Sequence, residues 1–246
     1  YSVIKDYDVP LVIGNVGAPQ LVKQGKRRAF TVEDVLRAQE MVGADIMAIH
    51  LNFLQEVVQP EGDLKARGCL DGIRAIAREG PTMVKETGAG ISRETALMLK
   101  GTGIRGLDVS GVGGTSFAAV EMYRALEKEN RVASALGRTF FDWGIPAPAA
   151  VLEADVGLEL IASGGVDDGL RVAKGLALGA TAAGCARAVL SAAMESSDAV
   201  LEKINVIKAE LKAAMFLTGC STVDELRRRR VIITGRTADW LSASEV

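Results

Sequence analysis

From Ala48 to Glu56 the chain reads Ala-Ile-His-Leu-Asn-Phe-Leu-Gln-Glu, so its one histidine, two amides and a carboxylate follow an apolar run within a few residues. Such a cluster is costly to bury unless something uses it. The Glu56 carboxylate can hold Mg2+ through one direct bond with water in the remaining positions, while His50, Asn52 and Gln55 can aim donors and acceptors at a substrate. A polar loop whose histidine merely satisfies a backbone carbonyl is the other reading, and these residues alone leave both open.

Three more segments could carry chemistry. Ile161 to Gly169 (Ile-Ala-Ser-Gly-Gly-Val-Asp-Asp-Gly) falls between a strand and a helix, where glycine lets backbone N–H groups approach a phosphate at the helix N-terminus. One βα unit later, Ala180 to Arg187 forms the next strand and its exit, ending in Ala186-Arg187; paired loops of this kind are the usual phosphate site of a parallel barrel. Tight turns with packing glycines would explain them as well. In Val84-Lys85-Glu86-Thr87-Gly88-Ala89-Gly90 the lysine ends an apolar strand and would point into the barrel mouth, where a cation can stabilise negative charge on a reduced ring. The glycine-dense run Leu107 to Phe117 offers the hydroxyls of Ser110 and Thr115 and a backbone able to touch a ligand; a flexible empty loop is its alternative. Glu121, about two turns further on, is either a surface acid or faces the site.

The elements that must position these groups alternate. Six strands are expected, at Pro10 to Asn15, Ala44 to His50, Pro81 to Glu86, Gly106 to Ser110, Glu159 to Ser163 and Ala180 to Ala186, separated by segments of helical period. Thr31, three residues before Asp34, looks like an N-cap with a capping box, and Ser92 opens another helix in the same way. A long helical tract is expected over 190–218 and a short one from Thr222 to Arg230. Each functional cluster stands at the carboxyl end of a strand, the ligand-facing rim of a parallel α/β fold. The fold class expected is a (β/α)8 TIM barrel with about six of its eight βα units in this chain. Residues 1–246 are read as one incomplete domain.

Composition narrows the partners. With 246 residues, 48% of them apolar and 24% charged, the chain can bury an ordinary core, and its formal charge of -2 gives no field that would attract nucleic acid or a membrane surface. The Arg227 to Arg230 run reads as a solvated helix face. No apolar stretch approaches the length of a membrane span, and no secretory signal is expected at Tyr1 to Asp8. Cys69, Cys185 and Cys220 have no metal-ligand spacing, which favours reduced thiols and a cytoplasmic location.

Taken together, the four segments resemble the type 2 isopentenyl diphosphate isomerases, in the same order, from Asn15 to about Leu241. The most specific part is His50-x-Asn52-x-x-Gln55-Glu56; Phe141 to Pro146 and Ile233 to Arg236 also look familial. The resemblance implies an FMN enzyme that interconverts isopentenyl and dimethylallyl diphosphate, with reduced flavin acting as acid and base, Mg2+ neutralising diphosphate charge and NAD(P)H serving only as flavin reductant. Gln55 would act at the substrate and Glu56 would ligate Mg2+, with His50 and Asn52 lining the same pocket. Asn15, Lys85, Ser110 and Thr115 would contact FMN, and Gly165, Val166, Asp167, Ala186 and Arg187 would cradle its phosphate. Thr87 and Glu121 match lining positions. A homo-oligomer (dimer, tetramer or octamer) is implied. So are about a hundred further N-terminal residues with the two remaining strands of the eight; the chain is therefore expected to be part of a longer enzyme or unable to close its barrel unaided. Two alternatives stand beside this: an FMN oxidoreductase of the α-hydroxy-acid oxidase type, and a flavin-binding or assembly protein without catalysis. A dehydrogenase with a cysteine nucleophile would want a loop thiol, whereas Cys185 is expected inside a strand.

Overall fold

A computed structural model describes residues 2–244, which fall into two compact units. The first comprises Tyr1–Thr87, Glu94–Leu107 and Phe117–Asp142. Its strand β1 (Ile13–Gly17) leads through a 3₁₀ turn at Ala18–Leu21 to helix α1 (Val32–Val42), then to β2 (Ile46–His50), α2 (Phe53–Val58), α3 (Cys69–Glu79), β3 (Thr82–Lys85), α4 (Arg93–Lys100), the start of β4 (Gly106–Asp108), α5 (Phe117–Glu127) and α6 (Arg131–Thr139). Strands β1, β2 and β3 pair in parallel in that order, with Gly17 opposite His50 and His50 opposite Lys85. Parallel pairing needs crossover connections, and α1 and α3 supply them. The apolar runs of the strands become the core: Met47, Ala48, Ile49, Val84 and Leu107 are buried, as are Val35, Ile73 and Leu99 on the helices.

The second unit comprises Gly88–Arg93, Asp108–Ser116 and Trp143–Val246. It holds α7 (Ala147–Glu153), β5 (Glu159–Ala162), α8 (Gly169–Ala177), β6 (Ala182–Ala183), α9 (Arg187–Glu195), α10 (Ser197–Leu217), α11 (Val223–Arg227) and α12 (Gly235–Ser244). Strands β5 and β6 pair in parallel. Ala173 and Leu176 of α8, with Cys220 and Leu226, make a small core completed by Leu211, Ala214 and Met215. Six βα units with parallel strands in chain order are the repeat of a TIM barrel, so the expected fold class and unit count stand.

Several boundaries differ from expectation. The first strand begins at Ile13 rather than Pro10, because the Val12 N–H is turned to the Asp45 carboxylate before the ladder starts. The fourth stops at Asp108, since Ser110 takes a left-handed φ of 32°. The sixth is two residues instead of seven: its partner β5 ends at Ala162, whose carbonyl accepts the Gly184 N–H at 2.8 Å. Cys185 consequently lies in the loop after β6 and not in a strand. The tract over 190–218 is two helices, because Ser196 is extended and its hydroxyl accepts the Ala199 N–H to cap α10. Thr31 caps α1 with the reciprocal bond to Asp34 that was expected. Arg227 to Arg230 are exposed, and only Arg227 is helical.

Candidate active site

In the first unit the chemistry-bearing residues begin with Asn15 in the middle of β1 and continue at or beyond the carboxyl ends of β2 and β3. Asn15 on β1 and His50 on β2 meet, with Nδ1 of the ring 3.2 Å from the Asn15 Oδ1. An amide oxygen only accepts, so Nδ1 carries the proton and Nε2 keeps its lone pair. Burial pushes the His50 pKa below its ordinary 6.5, and the Lys85 charge on the neighbouring strand pushes the same way. The ring is therefore neutral at pH 7.

The chain then turns sharply. Asn52 adopts a left-handed φ of 51° as the residue before α2, which converts a strand end into a helix start within two residues. Its buried side chain accepts the Thr87 hydroxyl at 2.9 Å, joining the ends of β2 and β3. Asn tolerates the left-handed region better than most residues do, and it supplies the acceptor as well. Thr87 is fixed in addition by its N–H, 2.5 Å from the Glu86 carboxylate.

No helix is among the elements expected from sequence over Phe53–Val58, and the helical geometry of α2 decides what Gln55 and Glu56 do. Gln55 and Gln59, one turn apart, both donate their amide N–H to Glu121 Oε1, at 2.7 and 2.9 Å. Glu121 on α5 is only 3% exposed and also takes Arg124 Nη1 at 2.7 Å. Burial pushes its carboxyl up, but the bonds from Gln59, Gln55 and Arg124 outweigh that and hold it below its ordinary 4.5. An ionised acceptor fixes the Gln55 amide with nitrogen inward and its carbonyl oxygen available to accept. Glu56 belongs to a different contact: its Oε2 accepts the Asp63 N–H at 2.7 Å, and its other oxygen has no partner among the described residues. Sequence reasoning missed Gln59, Asp63 and Arg124. Helical spacing could have found two of them, since Gln55 and Gln59 are four apart and Glu121 and Arg124 three apart.

In the second unit the residues follow β4, β5 and β6. Two glycine loops touch backbone to backbone: a Cβ on Gly164 would stand 2.1 Å from the Gly111 oxygen, and one on Gly165 equally close to that of Gly113. Both have positive φ, so only glycine fits these positions. Ser163 donates its hydroxyl to Asp108, linking the ends of β5 and β4. Residues Gly113, Ser163, Gly165 and Val166 line a cavity of about 300 Å3 together with Ala147 and Arg171. Asp167 is paired with Arg171, and its carbonyl accepts Lys203 Nζ at 3.1 Å. Ser110 is half-buried and its carbonyl accepts the Gly90 N–H, while Thr115 is exposed in the loop before α5.

The two helix N-termini here differ. That of α8 is occupied by acids, with Asp168 accepting the Arg171 N–H and Glu210 the Gly169 N–H. That of α9 begins at Arg187 after Ala186, which has no side-chain acceptor to offer, and both residues are exposed. A phosphate satisfies such orphan N–H groups, so the residues present fit a phosphate-bearing cofactor at this helix. Burial raises the Cys185 thiol above its ordinary value, with Lys203 opposing. Its loop position therefore does not supply a thiolate nucleophile.

A profile of the FMN-dependent dehydrogenase family matches residues 26–233. Proteins named isopentenyl-diphosphate delta-isomerase are similar to this chain: that of Methanosarcina mazei is 46% identical over 98% of the chain and 65% of its own length. The Thermoplasma volcanium protein is 44% identical over 98% and 69%, and the Methanosarcina acetivorans protein 48% over 94% and 62%. The chain thus spans about two thirds of the length of these relatives. Among solved structures, mandelate oxidase with benzoyl-formic acid covers 80% of this chain with 57% of its own, at a TM-score of 0.53 and 19% identity. That likeness concerns the fold, which is again the barrel.

Proposed function

This chain belongs to the FMN-dependent dehydrogenase family and, within it, to the isopentenyl-diphosphate delta-isomerases, and from that premise we propose that it interconverts isopentenyl and dimethylallyl diphosphate with FMN and Mg2+ bound. The supporting observation is the corner between β2 and α2, where Gln55 is held by Glu121 with its carbonyl free while Glu56 keeps one carboxylate oxygen unpartnered. FMN, reduced by NAD(P)H, supplies a proton donor and acceptor at the allylic carbons with no net redox change.

The chain's own residues do the rest. Neutral His50, with Nε2 as acceptor, and Asn52 line the substrate pocket without adding positive charge beside Lys85, and Thr87 steadies Asn52. Gln55 orients a polar atom at the reacting carbons, and Glu121 sets that orientation. Glu56 is one hard oxygen ligand for Mg2+. No group of three or more His, Cys, Asp or Glu among the described residues could enclose a metal, so the cation would take its other ligands from the diphosphate and water, as Mg2+ does. For the flavin, the proposed contacts are Asn15, Lys85, Ser110 and Thr115. Gly165, Val166 and Asp167, with Ala186 and Arg187 at the open N-terminus of α9, would receive the phosphate. We further propose a cytoplasmic homo-oligomer in which residues 1–246 form one barrel domain.

The oxidase alternative needs a guanidinium to clamp a carboxylate. Arg124, which shares the Glu121 carboxylate with Gln55, is already engaged by Glu121 and Glu61. An absorbance spectrum followed by an assay with isopentenyl diphosphate, Mg2+ and a flavin reductant tests the reading, with a 2-hydroxy acid and oxygen as the competing substrates. Bound flavin without turnover of either would favour the non-catalytic alternative. Gln55→Asn and Glu56→Gln are expected to lose turnover, about 100-fold or more as for a lost acid–base or metal contact, with flavin content unchanged. Retained activity in either removes that residue's role.

A further inference from the structure

We propose that Asp63 is a positioning residue for Glu56, acting through a return loop that the chain folds around the Glu56 carboxylate; this rests on the reading of Glu56 as the ligand of a diphosphate-bound divalent cation. After α2 the chain doubles back so tightly that a Cβ on Gly62 would stand 1.8 Å from the Glu56 carbonyl oxygen, so this approach requires glycine. The loop brings the Asp63 N–H to Glu56 Oε2 at 2.7 Å. One carboxylate oxygen is thereby fixed and the other is left for a cation.

The turn is closed by the Gly62 N–H on the Gln59 carbonyl at 3.1 Å, and the Asp63 side chain anchors it to the rest of the first unit. It is 5% exposed although charged, a placement that is tolerated only with partners. Gln20 Nε2 donates to its Oδ2 at 3.1 Å, and the Arg27 guanidinium pairs with its Oδ1. Gln20 sits in the 3₁₀ turn that follows β1 and lies against Gly17, which itself faces the His50 ring: a Cβ on Gly17 would stand 3.1 Å from His50 Nε2. Gln24 fastens the neighbouring backbone through both the N–H and the carbonyl of Lys65. The end of β1 therefore holds the loop that holds Glu56. Asp63 touches neither substrate nor metal; its effect reaches the cation through Glu56, in the manner of groups that orient a metal ligand.

The test uses the flavin-loaded protein and the Mn2+–pyrophosphate complex as probe, with binding read from water-proton relaxation enhancement. Asp63→Asn keeps the shape and can still accept from Gln20, but loses the charge that Arg27 grips. It is expected to weaken binding about tenfold, with flavin content and the denaturation midpoint little changed. Arg27→Gln should weaken it in the same direction and Arg27→Lys should recover part, a pattern independent of whether any one variant folds poorly. Combining Asp63→Asn with Arg27→Gln should cost little more than either alone. If both single variants bind the probe as tightly as the unsubstituted protein while Glu56→Gln loses it, the positioning role is overturned and the reading of Glu56 stands. Unchanged binding in Glu56→Gln overturns both.

Discussion

His50 is the chain's one histidine, so its ring protons give isolated NMR signals from the centre of the candidate site. Burial and the Lys85 charge both disfavour the imidazolium, and the titration midpoint is expected below the ordinary 6.5. Replacing Lys85 with Met removes the second cause and should move the midpoint upward, toward but not beyond 6.5; a midpoint at or above 6.5 in the unsubstituted protein would contradict the assigned burial. The sign carries over to stability. With the folded value lowered, the unfolded chain binds the proton first as pH falls, so the contribution of His50 is constant above about pH 6.5 and turns against folding below it. Glu121 behaves in the opposite sense: the stability from its paired carboxylate is present above 4.5 and is lost as pH falls through its lowered folded value. Residue types alone pointed to His50, Gln55 and Glu56. They did not reveal that Glu121 is the acceptor for Gln55, since the two are far apart in the chain and only the packing of α2 against α5 brings them together.

At the scale of elements, local rules worked where the partners are local. The Thr31–Asp34 capping box was legible because both of its bonds span three residues. Thr31→Ala is expected to cost about 1 kcal/mol in denaturant unfolding, and Thr31→Ser only a fraction of that; an unchanged midpoint in the alanine variant would mean that α1 does not depend on its cap. The corner into α2 was not legible, because it turns on the left-handed φ of Asn52, held by a hydroxyl on another strand. The length of β6 was overread for a related reason. Ala180 to Ala186 has the apolar character of a strand, yet a strand extends only as far as its neighbour offers N–H and carbonyl groups. Ser196 shows the converse: helical period continues through it, and its extended backbone nevertheless divides α9 from α10.

At the scale of the molecule, the formal charge is -2, and no helix among the described residues is long and apolar enough to cross a membrane. The proposed homo-oligomer is checked by light scattering, where a mass of two or more times that of the expressed polypeptide is expected and a monomer mass would refute it. By itself the sequence determined the βα alternation, the clusters at the strand ends and the resemblance that follows from them, because period, glycine placement and residue type are properties of short stretches. Only the tertiary structure decided which groups are partnered. Glu121 became the clamp on Gln55, Asp63 the anchor beside Glu56, and the N-terminus of α9 rather than α8 the one left open. Each of these depends on side chains from separate elements meeting within hydrogen-bond distance, and no local pattern encodes such a distance.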